Sequence, residues 1–217
     1  MVDPVEDWAD SVTVDIIEDM KNSGISNLLI NFDDWRTGFA KSEFVENANE
    51  YGYLIGTYDS YHSIHKSGEE QWLTATFEDT TLFDEATVTN KKGEKIEGFN
   101  GVGRKLNPKL AMPSVRSRVE EILDTGIEFN TWFLDTDGTG EVFDDYSENH
   151  ITTEEEDINA RIERVKYLNN EKDMIVGTEG GNDFINKYVA YAHGIDMGPF
   201  KWMDKDLKDK NSEYYLG

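Results

Sequence analysis

The sequence predicts an α/β fold, a partial or complete (β/α)8 TIM-type barrel, and three observations carry that prediction. Helical and strand-like periodicities alternate along the chain, as parallel βαβ units require. Two largely apolar runs end in polar clusters, Ile25 to Phe32 before Asp33-Asp34-Trp35 and Tyr53 to Tyr58 before Asp59-Ser60-Tyr61-His62. Two further runs, Phe129-Asn-Thr-Trp-Phe-Leu and Met174-Ile-Val-Gly-Thr, close on Asp135 and Glu179, with one long amphipathic helix between them. In a parallel barrel the C-terminal strand ends form the functional face, so acids placed there by adjoining units converge on one cleft.

Each element has its own signal. Val12, Ile16, Ile17 and Met20 share one helical face over about 12–20, and Gly24 stands just beyond as a stop. The run 25–32 suits a strand buried on both faces. Ser42 is placed to cap a helix carrying Phe44, Val45 and Ala48, with Gly52 at its end. The strand 53–58 follows at once. Between residues 67 and 113 the alternation breaks, and 85–99 around Asn90-Lys91-Lys92-Gly93-Glu94 carries a β-hairpin signal, so a loop-and-hairpin insertion is expected there. Val115, Val119 and Ile122 restore a helical period over 114–123. Thr152 and Thr153 each precede a Glu by three residues, a doubled capping-box signal, and Ile158, Ile162, Val165 and Leu168 mark the inward face of the helix that follows. The strand 173–178 comes next, then a helix expected over 183–192 after Gly180 and Gly181, and Gly-Ile-Asp-Met-Gly-Pro-Phe beyond His193 has the look of one more unit.

Composition bounds the function. With 217 residues the chain can bury a sizeable core, and residues 1–217 are expected to form a single barrel-type catalytic domain or a fragment of one. A complete (β/α)8 barrel needs roughly 250 residues. Only four strong strands are readable, and a half-open barrel exposes apolar edges, so self-association through the incomplete barrel is one expected way of covering them. The 45 acidic against 21 basic side chains give a net charge of −24, which repels nucleic acid and anionic membrane surfaces, and neither is expected as a partner. An aromatic content of 12% with five Trp argues for a packed interior over disorder. There is no cysteine, hence no disulfide, thiolate ligand or cysteine nucleophile, and the redox compartment is left open. The first residues, Met-Val-Asp-Pro-Val-Glu-Asp-Trp, have neither the basic segment nor the apolar stretch of a signal peptide, and no run approaches the ~18 apolar residues of a membrane span. No localisation is assigned.

Paired acids in one cleft are the minimum equipment for glycoside hydrolysis, with carboxyl groups about 5–5.5 Å apart in retaining enzymes and about 6.5–9.5 Å apart in inverting ones. Sequence supplies order and not distance, so both outcomes stay open. Asp135 is the stronger nucleophile candidate, because it ends its strand and Asp137 stands close enough to orient substrate hydroxyls. Glu179, between Gly-Thr and Gly-Gly, is the stronger acid/base candidate, since glycines let a sugar approach the backbone. Among the tryptophans, Trp35 beside Asp33, Asp34 and Arg36 is the expected ligand contact, and Asp33, Asp34 and Tyr61, at the ends of the first two strands, are expected substrate-binding residues with it. Trp72 and Trp132 are weaker candidates, Trp132 lying within its apolar run. No cofactor and no metal are expected. The four histidines lack zinc spacing, and Asp135-Thr-Asp-Gly-Thr-Gly starts like a calcium loop but has Tyr146 where the closing Glu belongs.

Phe133-Leu-Asp-Thr-Asp, then Asp145-Tyr-Ser-Glu-Asn-His-Ile-Thr-Thr-Glu-Glu-Glu-Asp-Ile-Asn-Ala-Arg, then Val176-Gly-Thr-Glu-Gly-Gly resemble the catalytic region of glycoside hydrolase families 101 and 129. The resemblance covers about two thirds of the chain, and family members are much longer. It implies a barrel enzyme with retaining chemistry that releases α-linked N-acetylgalactosamine or its disaccharide from glycoprotein glycans. It also implies that Asp135 is the nucleophile and Glu179 the acid/base. Gly56-Thr-Tyr-Asp59 is similar to an upstream barrel strand, which implies that Asp59, near Tyr61, belongs to the substrate site. Two rival readings are a non-catalytic carbohydrate-binding module and an acidic calcium-binding module built on the cluster from Asp135 to Asp145.

Overall fold

The structure, a computed structural model, describes residues 12–194, 205–207 and 209–215. Helix α1 (Val14–Asn22) buries Ile17 and ends at Gly24, whose φ of 84° no β-carbon-bearing residue adopts without strain. Strand β1 (Leu29–Phe32) is shorter than the expected 25–32. Asp33-Asp34-Trp35 is no simple strand end: the Asp34 carboxylate accepts from the Arg36 backbone N–H at 2.8 Å and caps a short helix α2 (Trp35–Ala40). Helix α3 (Ser42–Glu50) starts at Ser42 itself, with Lys41 before it making no side-chain cap, and Phe44, Val45 and Ala48 face the core as expected. Strand β2 (Leu54–Ser60) follows.

The stretch between β2 and the next long helix is held by a two-stranded antiparallel ribbon, β3 (Ser63–Ile64) with β4 (Arg104–Lys105), around a short helix α4 (Leu82–Glu85). The hairpin expected over 85–99 does not form as two strands. Its turn is closed by Asn90 N–H to Glu94 O at 2.8 Å, and only isolated bridges, Thr89 with Lys95 and Glu97 with Arg104, extend from it. Helix α5 (Pro108–Asp124) begins six residues before the expected start and runs through Pro113. Proline normally breaks a helix interior. Here Asn107 caps the helix by accepting from Lys109 N–H, and Ala111, Val115, Val119 and Ile122 are all buried on one face, so packing holds both sides of the proline.

Strand β5 (Thr131–Gly138) leads into α6 (Glu154–Lys166), whose start is the capping box that the sequence signals, Thr153 with Glu156. A π turn (Tyr167–Glu171) ends it before strand β6 (Ile175–Gly180). The helix expected over 183–192 is absent. Residues 182–188 make tight turns, Ile185 N–H to Asn182 O and Tyr188 N–H to Ile185 O, and Tyr191–His193 is strand β7. The cause is Gly177: any β-carbon there would stand 2.1 Å from the Tyr191 ring, so its absence lets β7 dock on β6. The possible further unit from residue 195 onward lies outside the described residues.

The sheet order is β1-β2-β5-β6-β7, every pair parallel, and the sheet curls as a five-stranded half-barrel. Parallel neighbours require crossover connections; helices supply those from β1 through β6 while covering the outer face of the sheet, and the turns of 182–188 make the one to β7. Ile55, Trp132, Leu134 and Val176 meet Ile17, Val45, Val115, Val119 and Val165 there in one apolar core. Residues alternate across the strands, so the inner face carries Tyr58, Ser60, Phe133, Asp135 and Glu179.

Candidate active site

At the C-terminal ends of β2, β5 and β6 the inner face opens into a cleft of about 870 Å³. Asp33, Asp34, Tyr58, Ser60, Asp135 and Glu179 all line it, which brings together both predicted catalytic acids and two of the predicted binding acids. Asp135 sits opposite Ser60 in the β2–β5 register, and the Tyr58 hydroxyl donates to its Oδ2 at 2.6 Å. Burial, then the charge of Asp135 and its hydrogen bond, then the charges of Asp59 and Glu179 hold the Tyr58 phenol well above its ordinary range. It is therefore a permanent donor. Glu179 is half-buried, and the chain leaving β7 crosses over it: a β-carbon on Gly194 would stand 3.2 Å from Glu179 Cγ and 3.6 Å from its Oε1.

A stack of rings supports this floor. Phe133 lies 6.0 Å from Tyr58 and 4.4 Å from His193, near-parallel to the latter at 8°. The stack fixes the rotamer of Tyr58 and hence the direction of its hydroxyl.

Other predicted site residues lie elsewhere. Asp137 is two residues from Asp135 and would share its face in a regular strand. Between Leu134 and Gly138, however, β5 bulges, Thr136 takes a φ of 62°, and the pairing with β6 jumps from Thr178 to Gly180. The bulge turns Asp137 outward, where it is 1% exposed and accepts from Arg164 Nη1 at 2.8 and 3.0 Å. Asp59 points to the outer face next to Tyr58 and is fully buried against Arg118 at 3.0 Å. Burial pushes its carboxyl up, against the pull of Arg118. Tyr61 is a core residue with the guanidinium groups of Arg118 and Arg164 over its ring, and Trp132 is a core residue on the helix side. Trp35 belongs to the core and borders a separate groove of about 540 Å³ on the helix side. The exposed aromatics at the cleft are Trp72, 37% exposed, and Phe99, 45% exposed, with ring centroids 5.8 Å apart.

The calcium-loop reading meets a different donor arrangement. Asp137 is committed to Arg164, while Asp145 accepts from the Thr89 and Ser147 backbone and from Asn107. Among the described residues no group of three or more His, Asp and Glu is placed to hold a metal.

Of three further cleft residues, His62 stood in the polar cluster after the second strand, whereas Lys105 and Glu141 carried no sequence signal. His62 Nε2 lies 2.6 Å and Lys105 Nζ 2.8 Å from the same oxygen, Glu141 Oε2. Their partnership rests on the β3–β4 ribbon and on the loop after β5, segments far apart in sequence, so no local spacing could reveal it. Asp33 and Asp34 were findable because they close β1.

Similarity to known proteins bears on this geometry. No curated protein sequence matches the chain. Solved structures of the α-N-acetylgalactosaminidase NagBb from Bifidobacterium bifidum have the same fold. Its complex with Gal-NHAc-DNJ superposes with a TM-score of 0.70 at 18% identity, over 85% of this chain and 31% of that one. The complex with GalNAc gives 0.68 at 18% identity over 83% and 31%, and the ligand-free form 0.66 at 19% over 83% and 32%. The chain thus spans about a third of the length of these relatives. Residues 19–217 match the family described as glycosyl hydrolases related to the GH101 family, GH129, and with nearly the whole described fold inside that match, the chain belongs to glycoside hydrolase family 129.

Proposed function

We propose that this chain carries the catalytic carboxylates of a retaining glycoside hydrolase acting on α-linked N-acetylgalactosamine or a closely related sugar of a glycoprotein glycan. The observation that carries the reading is the pair Asp135 and Glu179 at the ends of adjacent parallel strands, both bordering one cleft and both acting electrostatically on the same Tyr58 phenol. The structural relatives that bind GalNAc support the choice of sugar.

In this reading Asp135 Oδ1 attacks the anomeric carbon while the Glu179 carboxyl protonates the departing glycosidic oxygen. The resulting glycosyl-enzyme ester is opened by a water that Glu179, now ionised, deprotonates. Tyr58, bound to Oδ2, keeps Asp135 in one rotamer with Oδ1 toward the sugar, and its raised pKa means that it stays a donor throughout. These steps need no cofactor.

The test is the anomeric configuration of the first product released from an aryl α-N-acetylgalactosaminide by the full-length protein, followed by proton NMR before mutarotation. The α-anomer is expected. The β-anomer would replace the retaining assignment with an inverting one, and absence of both turnover and sugar binding would remove the hydrolase reading.

A further inference from the structure

We infer that Glu141, with Lys105, is a recognition station for a neutral sugar hydroxyl in this cleft, an assignment that rests on the hydrolase reading for the identity of the sugar. The geometry defines what the station offers. Arg161 Nη2 lies 3.4 Å from His62 Nδ1 and can only donate, so Nδ1 accepts and the ring proton sits on Nε2. That N–H donates to Glu141 Oε2 at 2.6 Å, and Lys105 Nζ donates to the same oxygen at 2.8 Å. Arg161 Nη2 also donates to the Glu141 backbone carbonyl at 2.9 Å, which fixes the main chain beneath.

One carboxylate oxygen is therefore saturated by protein donors. The other, Oε1, makes no hydrogen bond among the described residues, and the Glu141 side chain is 50% exposed where it lines the cleft. Lys105, only 9% exposed, also lines the cleft and, among the described residues, directs one hydrogen bond to protein. An acceptor and a donor held side by side match a hydroxyl group, which donates to Oε1 while accepting from Nζ. Burial holds His62 down at about 4, and Glu141 is held at about 2 by His62 and Lys105, while burial lowers the Lys105 ammonium against the opposing pull of Glu141, so at neutral pH the station is a Glu141–Lys105 ion pair beside a neutral imidazole.

The ligand's charge follows from the walls. Five carboxylates, Asp33, Asp34, Asp135, Glu141 and Glu179, line the cleft against two cationic side chains, Arg36 and Lys105. A sulfated, phosphorylated or uronic acid group at this position would be repelled. A neutral hydroxylated sugar is not, and an amide N–H could use the same Oε1.

The test is calorimetric binding of N-acetylgalactosamine and its monodeoxy and monodeoxyfluoro analogues to the full-length wild type and Glu141→Gln, which reads recognition without requiring turnover. In Glu141→Gln the amide oxygen stays with His62 and Lys105, so the cleft-facing atom changes from acceptor to donor. The expected result is at least a tenfold loss of affinity for the parent sugar in Glu141→Gln. One analogue should lose tenfold against wild type but less than twofold further against the variant, which identifies the hydroxyl. Glu141→Ala, which removes the carboxylate without inverting it, should show the same collapse of discrimination if Glu141→Gln fails to fold. The inference is overturned if the variants bind every analogue with the wild-type ranking, or if wild type binds no neutral sugar. If binding behaves as expected while Asp135→Asn leaves turnover intact, the station stands and the catalytic assignment falls.

Discussion

On the inner face of the sheet Asp135 and Glu179 stand half-buried around open space, whereas on the outer face Asp59 and Asp137 are sealed against Arg118 and Arg164. All four are carboxylates at the same end of the same parallel strands. Those facing the cleft border open space at the strand ends. Those facing the helices neutralise guanidinium groups of α5 and α6 and so attach the helical layer to the sheet. Arg118 extends this role, since it also donates to the carbonyls of Thr74 and Thr76 and so pins the segment that brings Trp72 to the cleft wall. Residue type thus says little about role here; the side of the sheet decides it.

The largest effect that tests this division is on turnover. Asp135→Asn and Glu179→Gln are each expected to lower kcat about 10³-fold or more, equivalent to about 4 kcal/mol, with the unfolding midpoint little changed. Equal activity in either variant would place the chemistry elsewhere. The outer face should respond in the opposite way. Asp137→Asn leaves Arg164 buried without its counter-charge, and Asp59→Asn does the same to Arg118. Each should cost about 3–5 kcal/mol in urea unfolding, because breaking one side of a buried pair strands the other charge. A cost below 1 kcal/mol would mean that the outer pairs are not what joins the layers.

Tyr58→Phe sharpens the inner face. It removes the hydrogen bond to Asp135 while keeping the ring stack, so kcat should fall ~10- to 100-fold, corresponding to the about 1.5–3 kcal/mol of a hydrogen bond to a charged group, with KM nearly unchanged. A rise in KM at constant kcat would make Tyr58 a substrate contact. The smallest effect is a pH dependence. His62 is held down at about 4 in the fold and titrates near 6.5 when unfolded, so the unfolded chain binds more protons between those values. Its contribution to stability is complete above pH 6.5 and is lost as pH falls through about 4. Unfolding free energies at pH 7, 5.5 and 4 should fall by up to about 3 kcal/mol in wild type and less steeply in His62→Gln. Identical slopes would show that His62 is not the group responsible.

Much of the scaffold was legible from local pattern. Strands β2, β5 and β6 were readable because parallel strands buried on both faces are nearly continuous apolar runs, whereas β1, at the sheet edge and largely exposed, keeps only the last four residues of the run read as buried. The start of α6 was readable because its cap satisfies the helix with residues adjacent in sequence. Where the reading failed, a distant contact overrode a local signal. Pro113 lies inside α5 because packing on both sides holds the helix, and residues 183–192 form turns and a strand because Gly177, in another element, accepts the Tyr191 ring. In the site, Asp135, Glu179, Asp33 and Asp34 were readable as strand-end acids. Asp137 and Asp59 were misplaced by reasoning that sees neighbours in sequence but not the bulge or the strand's facing. Trp35 was favoured for its polar flanks, yet helix α2 turns its indole into the core.

The alternation of the long helices with β1, β2, β5 and β6, the two catalytic candidates and the family resemblance are properties of the sequence by itself, since each depends on periodicity or on residues close together in the chain. Tertiary structure alone decided which carboxylates face the cleft, that a bulge at Thr136 separates Asp135 from Asp137, and that His62, Lys105 and Glu141 meet at one oxygen. Those outcomes depend on strand facing, register and the meeting of segments dozens of residues apart, and a linear pattern encodes none of the three directly.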